Sequence, residues 1–321
     1  MHTFAELSQQ FDLHFKNRQF PQQPEHLYDA AQYILDLGGK RVRPVSVLLA
    51  QEMFSELKTD ALHAATAIEL FHNFSLIHDD IMDKAPLRRG KDTVHSLYGE
   101  STALLAGDVM LVRAYEQFSK MDTAYRNEAF DLFNQTAREV CEGQQMDMDF
   151  ENQSDVVMNQ YVHMITLKTS VLLAACMKMG ALIGGASPAC QDHLYAFGKN
   201  LGIAFQIQDD YLDAFGDPEK FGKQVGGDIQ SNKKTFLLIH ALQNTDQATR
   251  NELEKLLKSS DSGKVDAVLS IFKSCGVDAW AESEKSAYTA LALEHLEQVK
   301  AADHAKIHMR HLVQYLMKRE S

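Results

Sequence analysis

Apolar residues recur every three or four positions through most of this 321-residue chain, and alternating runs of β-branched residues are hard to find. That spacing predicts helices over Pro24 to Leu37, stopped by Gly38-Gly39, and over Arg43 to Phe54. A longer one begins at Thr59, read as its N-cap, with Leu62, Ala65, Ile68, Phe71 and Ser75 along one face. More follow over Thr102 to Ser119, Thr123 to Phe150, Asp155 to Leu182, Pro188 to Phe215 and Lys234 to Gln243, and others are expected up to Met317. Roughly ten helices exceed what a four-helix bundle holds, and the fold class is all-α.

The polar stretch Asn244 to Lys264 is still laced with leucines at helical spacing, so no interdomain linker is visible and residues 1–321 read as a single domain. Phe215 to Lys234, rich in Gly and Lys, reads as a loop suited to contacting phosphate. The most apolar window, Ser170 to Gly185, carries Lys178 and is too short for a membrane span, so it reads as a buried helix.

Charge narrows the function. The 44 acids against 32 bases give a formal charge of −12, which argues against nonspecific binding to nucleic acid or to an anionic membrane. A small anionic substrate would then need clustered cations or a metal. Cys141, Cys176, Cys190 and Cys275 form no CxxC pair, which fits a reducing compartment. The N-terminal segment has no basic leader and no continuous apolar run, so a cytoplasmic location is expected.

Two copies of DDxxD, Asp79-Asp80-Ile81-Met82-Asp83 and Asp209-Asp210-Tyr211-Leu212-Asp213, each end a mostly apolar helix. Positions i and i+4 share a helix face, so Asp79 projects beside Asp83 and Asp209 beside Asp213. Such like charges repel and call for a counter-ion. Carboxylates are hard oxygen ligands suited to Mg²⁺, which completes its octahedron with water and phosphate oxygens. A single DDxxD is more often a solvated helix end; two, each followed by basic residues, favour metal binding. Those basic residues are Arg88 and Arg89 after the first motif, and Lys223, Lys233 and Lys234 after the second. With Gly39-Lys40-Arg41-Val42-Arg43 they suggest two anionic sites, one clamped mainly through metal and one mainly through Arg and Lys.

The chain resembles the trans-type isoprenyl diphosphate synthases, or polyprenyl synthetases, over nearly its whole length. GGKRVRP at Gly38 to Pro44, SLIHDDIMDKAPLRRG at Ser75 to Gly90, EGQQMD at Glu142 to Asp147, KTS at Lys168 to Ser170 and FQIQDDYLDAFGD at Phe205 to Asp217 carry the resemblance, and GKQVGGDIQSNKKT from Gly222 continues it. It implies helices around a deep central cavity, usually in a homodimer, with three Mg²⁺ ions. By position, Asp79, Asp83 and Asp209 look like direct metal ligands, with Asp80, Asp210 and Asp213 supporting or water-linking the cluster. Lys168, Lys223, Arg88 and Lys233 would touch the allylic diphosphate. Lys40, Arg43, His72 and Arg89 would hold the diphosphate of isopentenyl diphosphate, with Lys318 and Arg319 resembling a basic tail that closes over it in some relatives. Thr169 and Gln206 would line the reacting centre, and Gln144 and Asp147 the allylic pocket. The implied chemistry is loss of the allylic diphosphate, attack on the resulting carbocation by the double bond of isopentenyl diphosphate, and proton loss, with the released diphosphate as the expected base. Thr169 and Gln206 oxygens and backbone carbonyls would face the cation.

Phe74 and Phe71 lie five and eight residues before Asp79, about 7.5 and 12 Å along a helix axis, where either ring could floor the tail's channel. An aromatic at the first place, Ser75 after it and no insertion in DDxxD resemble archaeal geranylgeranyl diphosphate synthases. A C20 product is therefore expected, with C15 next and longer chains as further alternatives. A class I terpene cyclase would share the fold, but its second motif normally carries Asn, Ser or Thr and Glu. A noncatalytic partner subunit would be expected to show an eroded acidic motif, and both are intact. His304, His308 and His311 at i, i+4 and i+7 could in principle bind zinc, yet helix-end histidines more often meet terminal carbonyls or solvent.

Overall fold

The computed structural model describes residues 1–16, 19–153, 155–216, 226–259, 261 and 263–318. Among these, strand structure is confined to one short hairpin, and the rest of the regular structure is helical. The chain divides into two compact units. The first comprises Met1–Ala137, Leu172–Tyr195 and Gln298–Met309, the second Arg138–Val171, Ala196–Glu297 and Arg310–Ser321. Every changeover falls inside a helix and none at a linker.

The first unit opens with α1 (Phe4–Phe15), a helix the apolar spacing did not single out. Thr3 and Glu6 form a capping box, satisfying two backbone N–H groups that would otherwise be orphaned at the helix start. Leu7, Phe11 and Phe15, four residues apart, are buried on one face. Then come α2 (Glu25–Asp36) and α3 (Val42–Glu52), joined by a turn in which Gly38 and Arg41 have φ of 71° and 52°. A left-handed arginine costs about 1 kcal/mol and persists only where its surroundings hold it.

Helix α4 (Thr59–Met82) packs along α6 (Glu100–Phe118). Small residues line both helices: Ala61, Ala64, Ala65 and Ala67 on α4, and Ala103, Ala106 and Ala114 on α6, are all fully buried, and a Cβ on Gly107 of α6 would lie 2.3 Å from His78 Nε2 of α4. Thr59 proves to be the first helical residue; the N-cap is Lys58, which makes no side-chain cap. Between these helices run the strands Leu87–Arg88 and Lys91–Asp92, with Arg89 and Gly90 at φ 53° and 72° in the turn, and then α5 (Val94–Tyr98). Two successive positive-φ residues match the right-handed twist of a tight hairpin.

Helix α7 (Thr123–Glu151) precedes α8, which begins at Met158 rather than Asp155 and runs to Ile165. A π turn (Thr166–Ser170) carries it into α9 (Val171–Gly184). Taken together, Met158–Gly184 is long and apolar enough to cross a membrane, longer than the window read from sequence, but 72% of its apolar window is buried within the protein. Helix α10 spans Pro188–Phe215, as the sequence predicts. In the second unit a single turn (Gly227–Gln230) and helices at Phe236–Gln243, Gln247–Leu257, Lys264–Ser274 and Val277–Gln298 gather around Tyr161, Ile165, Ile207 and Phe236. Phe236 stacks on Trp280 with ring centroids 4.3 Å apart, and His240 lies on Trp280 at 3.6 Å. The final described helix is Asp303–Met317.

Candidate active site

In the first unit the acidic motif forms the C-terminal end of α4. Asp79 and Asp80 lie in the last turn, and Asp83 is the C-cap, its N–H donating to the Asp79 carbonyl at 2.8 Å. The hairpin returns Arg88 onto both aspartates: Nε donates to Asp80 Oδ2 at 2.8 Å and Nη2 to Asp79 Oδ2 at 3.4 Å. Asp80 is buried, which raises its pKa against the opposing pull of Arg88. It is therefore a braced carboxylate, while Asp79 is more accessible and Asp83 exposed.

Two turns upstream on α4, His72 Nε2 lies 3.2 Å from Arg43 Nη1. An arginine only donates, so this nitrogen accepts, and the imidazole proton sits on Nδ1. Burial, and then the charges of Arg43, Arg89, Arg88 and Arg41, push the His72 pKa well down, leaving a neutral ring among four guanidinium groups. Four of the residues expected to meet diphosphates are thus neighbours in one unit. Lys40 is exposed beside them in sequence. Gly39 faces the Arg89 guanidinium, and a Cβ there would lie 3.2 Å from Nη2.

Farther back along α4, Phe71 is 1% exposed, with its ring edge-on to Phe133 at 5.3 Å. Phe74 is 8% exposed and meets Phe71 at 5.5 Å and His78 at 4.7 Å. Phe71 is locked in an aromatic cluster, and Phe74 forms its outer face.

The second unit holds the other acidic motif at the end of α10. Asp210 is 5% exposed and fully engaged: Oδ2 accepts from the Tyr161 hydroxyl at 2.6 Å and from the Phe236 N–H at 3.1 Å, and Oδ1 from Gln206 Nε2 at 3.0 Å. Burial, and next the charge of Asp228, push its pKa up to about 7 despite these bonds. Asp213 braces the following segment, its carbonyl accepting from Gly226 N at 2.7 Å and its Oδ2 from Asp228 N at 3.1 Å. Lys233 donates its backbone N–H to the Asp228 carbonyl at 2.9 Å, so its place is tied to the same turn.

Thr169 Oγ1 donates to Gln206 Oε1 at 3.1 Å. One lone pair of the Gln206 oxygen is thus engaged, and its second lone pair and those of Thr169 are what the pair offers. Lys168 Nζ donates to Asp147 Oδ2 at 2.6 Å, and Gln144 Nε2, one helical turn before Asp147, is buried without a hydrogen-bond partner. Lys168 and Thr169 stand on the π turn, whose extra residue breaks the regular helical register. Two glycines admit this turn. A Cβ on Gly143 of α7 would lie 2.3 Å from Lys168 N, and one on Gly202 of α10 would lie 2.7 Å from Ser170 Cα. Lys318 is exposed after the last helix, while Lys223 and Arg319 lie outside the described residues.

Tyr161, Asp228 and Gly143 were not anticipated as site residues. Gly143 and Asp228 fall within the runs EGQQMD and GKQVGGDIQSNKKT without being singled out there, and Tyr161 is a phenol four residues from Ile165 on an apolar face, where its hydroxyl requires a partner. Among the described residues no group of three His, Cys, Asp or Glu is arranged to hold a metal ion by itself, the histidines of the last helix included. The donor set nevertheless fits magnesium, which commonly takes one or two carboxylates and leaves its other positions to water and phosphate oxygens.

The polyprenyl synthetase family model matches residues 24–275. The chain belongs to the polyprenyl synthetase family. It is accordingly a prenyltransferase with the all-α isoprenoid synthase fold. It is 39% identical over 298 residues to a short chain isoprenyl diphosphate synthase of Methanothermobacter thermautotrophicus, covering 92% of this chain and 91% of that one. It is also 39% identical over 274 residues to a geranylfarnesyl diphosphate synthase of Natronomonas pharaonis, covering 76% and 80%. A crystal structure of a geranylgeranyl pyrophosphate synthase matches this polyprenyl synthetase with a TM-score of 0.95 at 42% identity, over 100% of both chains.

Proposed function

We propose that this prenyltransferase condenses an allylic diphosphate of five to fifteen carbons with isopentenyl diphosphate, giving geranylgeranyl diphosphate as its main product. The observation that carries the reading is the cation cluster of the first unit. Arg88 is bonded to the aspartates of the motif, whereas Arg43 is turned to a neutral His72. A reaction that ionises one diphosphate has no use for the second group. A condensation needs it to hold a diphosphate that is retained.

In this reading Arg88, Lys168, Lys223 and Lys233 hold the allylic diphosphate, and Lys40, Arg43, His72 and Arg89 hold the other, aided by Lys318 and Arg319. Asp79, Asp83 and Asp209 would bind up to three magnesium ions, supported by Asp80, Asp210 and Asp213; bound there, magnesium would offset the charge growing on the departing diphosphate. Asp80, buried and held by Arg88, and Asp210, buried and multiply bonded, suit bracing better than direct ligation. Both motifs serve the same ionisation. Thr169, oriented by Gln206, presents oxygen lone pairs to positive charge without being an easy nucleophile. Gln144 and Asp147 border the allylic substrate, and Phe74, backed by Phe71, limits the tail.

The whole chain is proposed to work as one catalytic domain in a cytoplasmic homodimer. Exposed Leu97, Leu104, Leu105, Val112 and Phe130 of the first unit suit a second copy, and four free cysteines suit a reducing compartment. The deciding assay supplies purified protein with isopentenyl diphosphate, Mg²⁺ and C5, C10 or C15 allylic starters, and resolves products by chain length. Geranylgeranyl diphosphate should predominate. A C15 or C25 main product would correct the length; a cyclic hydrocarbon from one diphosphate, or no turnover without a second protein, would overturn the reading.

A further inference from the structure

Between Lys40 and Arg43 stands Arg41, an arginine with no assigned role. Its backbone is left-handed, with φ 52° and ψ 24°, and it is the N-cap of α3, its carbonyl accepting from Val45 N at 3.0 Å. Its side chain is 10% exposed and turned inward. Nε donates to Asp12 Oδ1 at 3.0 Å, Nη1 donates to Glu69 Oε1, and the guanidinium lies over Phe15 at 5.4 Å and Phe11 at 6.0 Å. Glu69 is itself fixed, 4% exposed on α4, where Oε1 also accepts from Asn73 Nδ2 at 3.3 Å. The four anchors sit on two elements: Asp12 and the two rings on α1, and Glu69 on the helix that carries His72 and Asp79.

These contacts commit Nε and Nη1 of Arg41 to carboxylates of the protein itself. They also explain why an arginine occupies a position that glycine would take at lower backbone cost. A planar guanidinium can satisfy two carboxylates on different helices while its faces pack on aromatic rings, which no other side chain does as well. The left-handed bend is thereby pinned from below, and with it the positions of Lys40 on one side and Arg43, in the first turn of α3, on the other.

We propose that Arg41 is a positioning residue for the diphosphate of isopentenyl diphosphate. It acts through Lys40 and Arg43, and α1 takes part in that binding through Asp12 although it carries no ligand itself. The inference rests on the assignment of Lys40 and Arg43 to that diphosphate. It is tested by steady-state kinetics on R41Q, R41K and D12N in the full-length protein, varying each substrate in turn. R41Q should raise the KM for isopentenyl diphosphate about tenfold or more, the scale of one lost charge-assisted hydrogen bond, with kcat and the KM for the allylic substrate near wild type. R41K should recover part of this. D12N neutralises an exposed partner and should shift the same KM about two- to fivefold. Equal losses in both KM values, or a fall in kcat alone, would overturn the proposal. Should R41Q fail to fold, D12N decides it, because Asp12 is 53% exposed, and an unchanged ratio of the two KM values in D12N would then refute it. A wild-type protein that makes no prenyl diphosphate would instead refute the proposed function.

Discussion

Replacing Phe74 with alanine should lengthen the product by one isoprene unit and no more. Phe74 stands five residues before Asp79 on α4 and Phe71 eight, so their rings differ in depth by about 4.5 Å along the helix axis. An extended isoprene unit adds four carbon–carbon bonds, about 5 Å of chain. The step from one aromatic to the next thus matches one unit. Removing the outer ring moves the floor to Phe71, which stays put because Phe133 holds it edge-on at 5.3 Å and it is 1% exposed. The substitution also removes packing against Phe71 and His78, and a loss of about 3 kcal/mol, the low end for a buried phenylalanine, is expected. Labelled isopentenyl diphosphate with a C15 starter, followed by dephosphorylation and chromatography, reads the product. F74A should shift the main product from C20 to C25, and F71A alone should leave it at C20, since Phe74 still intervenes. A folded F74A that makes the wild-type product would refute the argument, and so would one that makes chains of no fixed length.

D79N and D209N should each lower kcat by about a hundredfold or more, and a chelator should abolish turnover until Mg²⁺ is restored; activity unaffected by chelator would contradict the proposed role of the motifs. Asp210 has a pKa near 7 in the fold against 3.8 as an ordinary carboxyl, so it holds its proton more tightly when folded. Its stabilising contribution in the metal-free protein is complete below about pH 4 and is lost as pH rises through about 7. D210N should therefore gain stability relative to wild type between pH 5 and pH 8 in urea unfolding, and an equal difference at both pH values would count against this. Y161F removes the 2.6 Å bond to Asp210 and should cost about 1–3 kcal/mol in the same assay. G143A must push Lys168 aside; a loss of about 1–3 kcal/mol is expected together with a lower kcat, and unchanged kinetics would remove the π turn from the catalytic argument.

Several of these residues are legible in the sequence alone, and others are not. Helix α10 was legible from end to end because Pro188 opens it, Gly216 follows it and apolar spacing runs between them. Both acidic motifs were legible because their carboxylates are four residues apart on one chain. Helix α1 was not singled out, since its periodicity is short and its start rests on the reciprocal bonds of Thr3 and Glu6. The turn at Arg89 and Gly90 was missed because an arginine in a left-handed conformation leaves no mark in sequence. Partners distant in sequence were hidden for a general reason. Tyr161 meets Asp210 across 49 positions and Arg41 meets Glu69 across 28, and neither pairing has a period to detect.

The π turn at Thr166–Ser170 makes the surrounding helix sensitive to counting as well as to chemistry. Deleting one residue there, Leu167 for instance, would remove the extra residue that the turn takes up, restore ordinary α-helical winding and re-aim the residues of the turn itself relative to both flanks. Lys168 and Thr169 would then address different neighbours although both remained in the sequence. In this stretch a one-residue deletion should therefore be more damaging than most point substitutions.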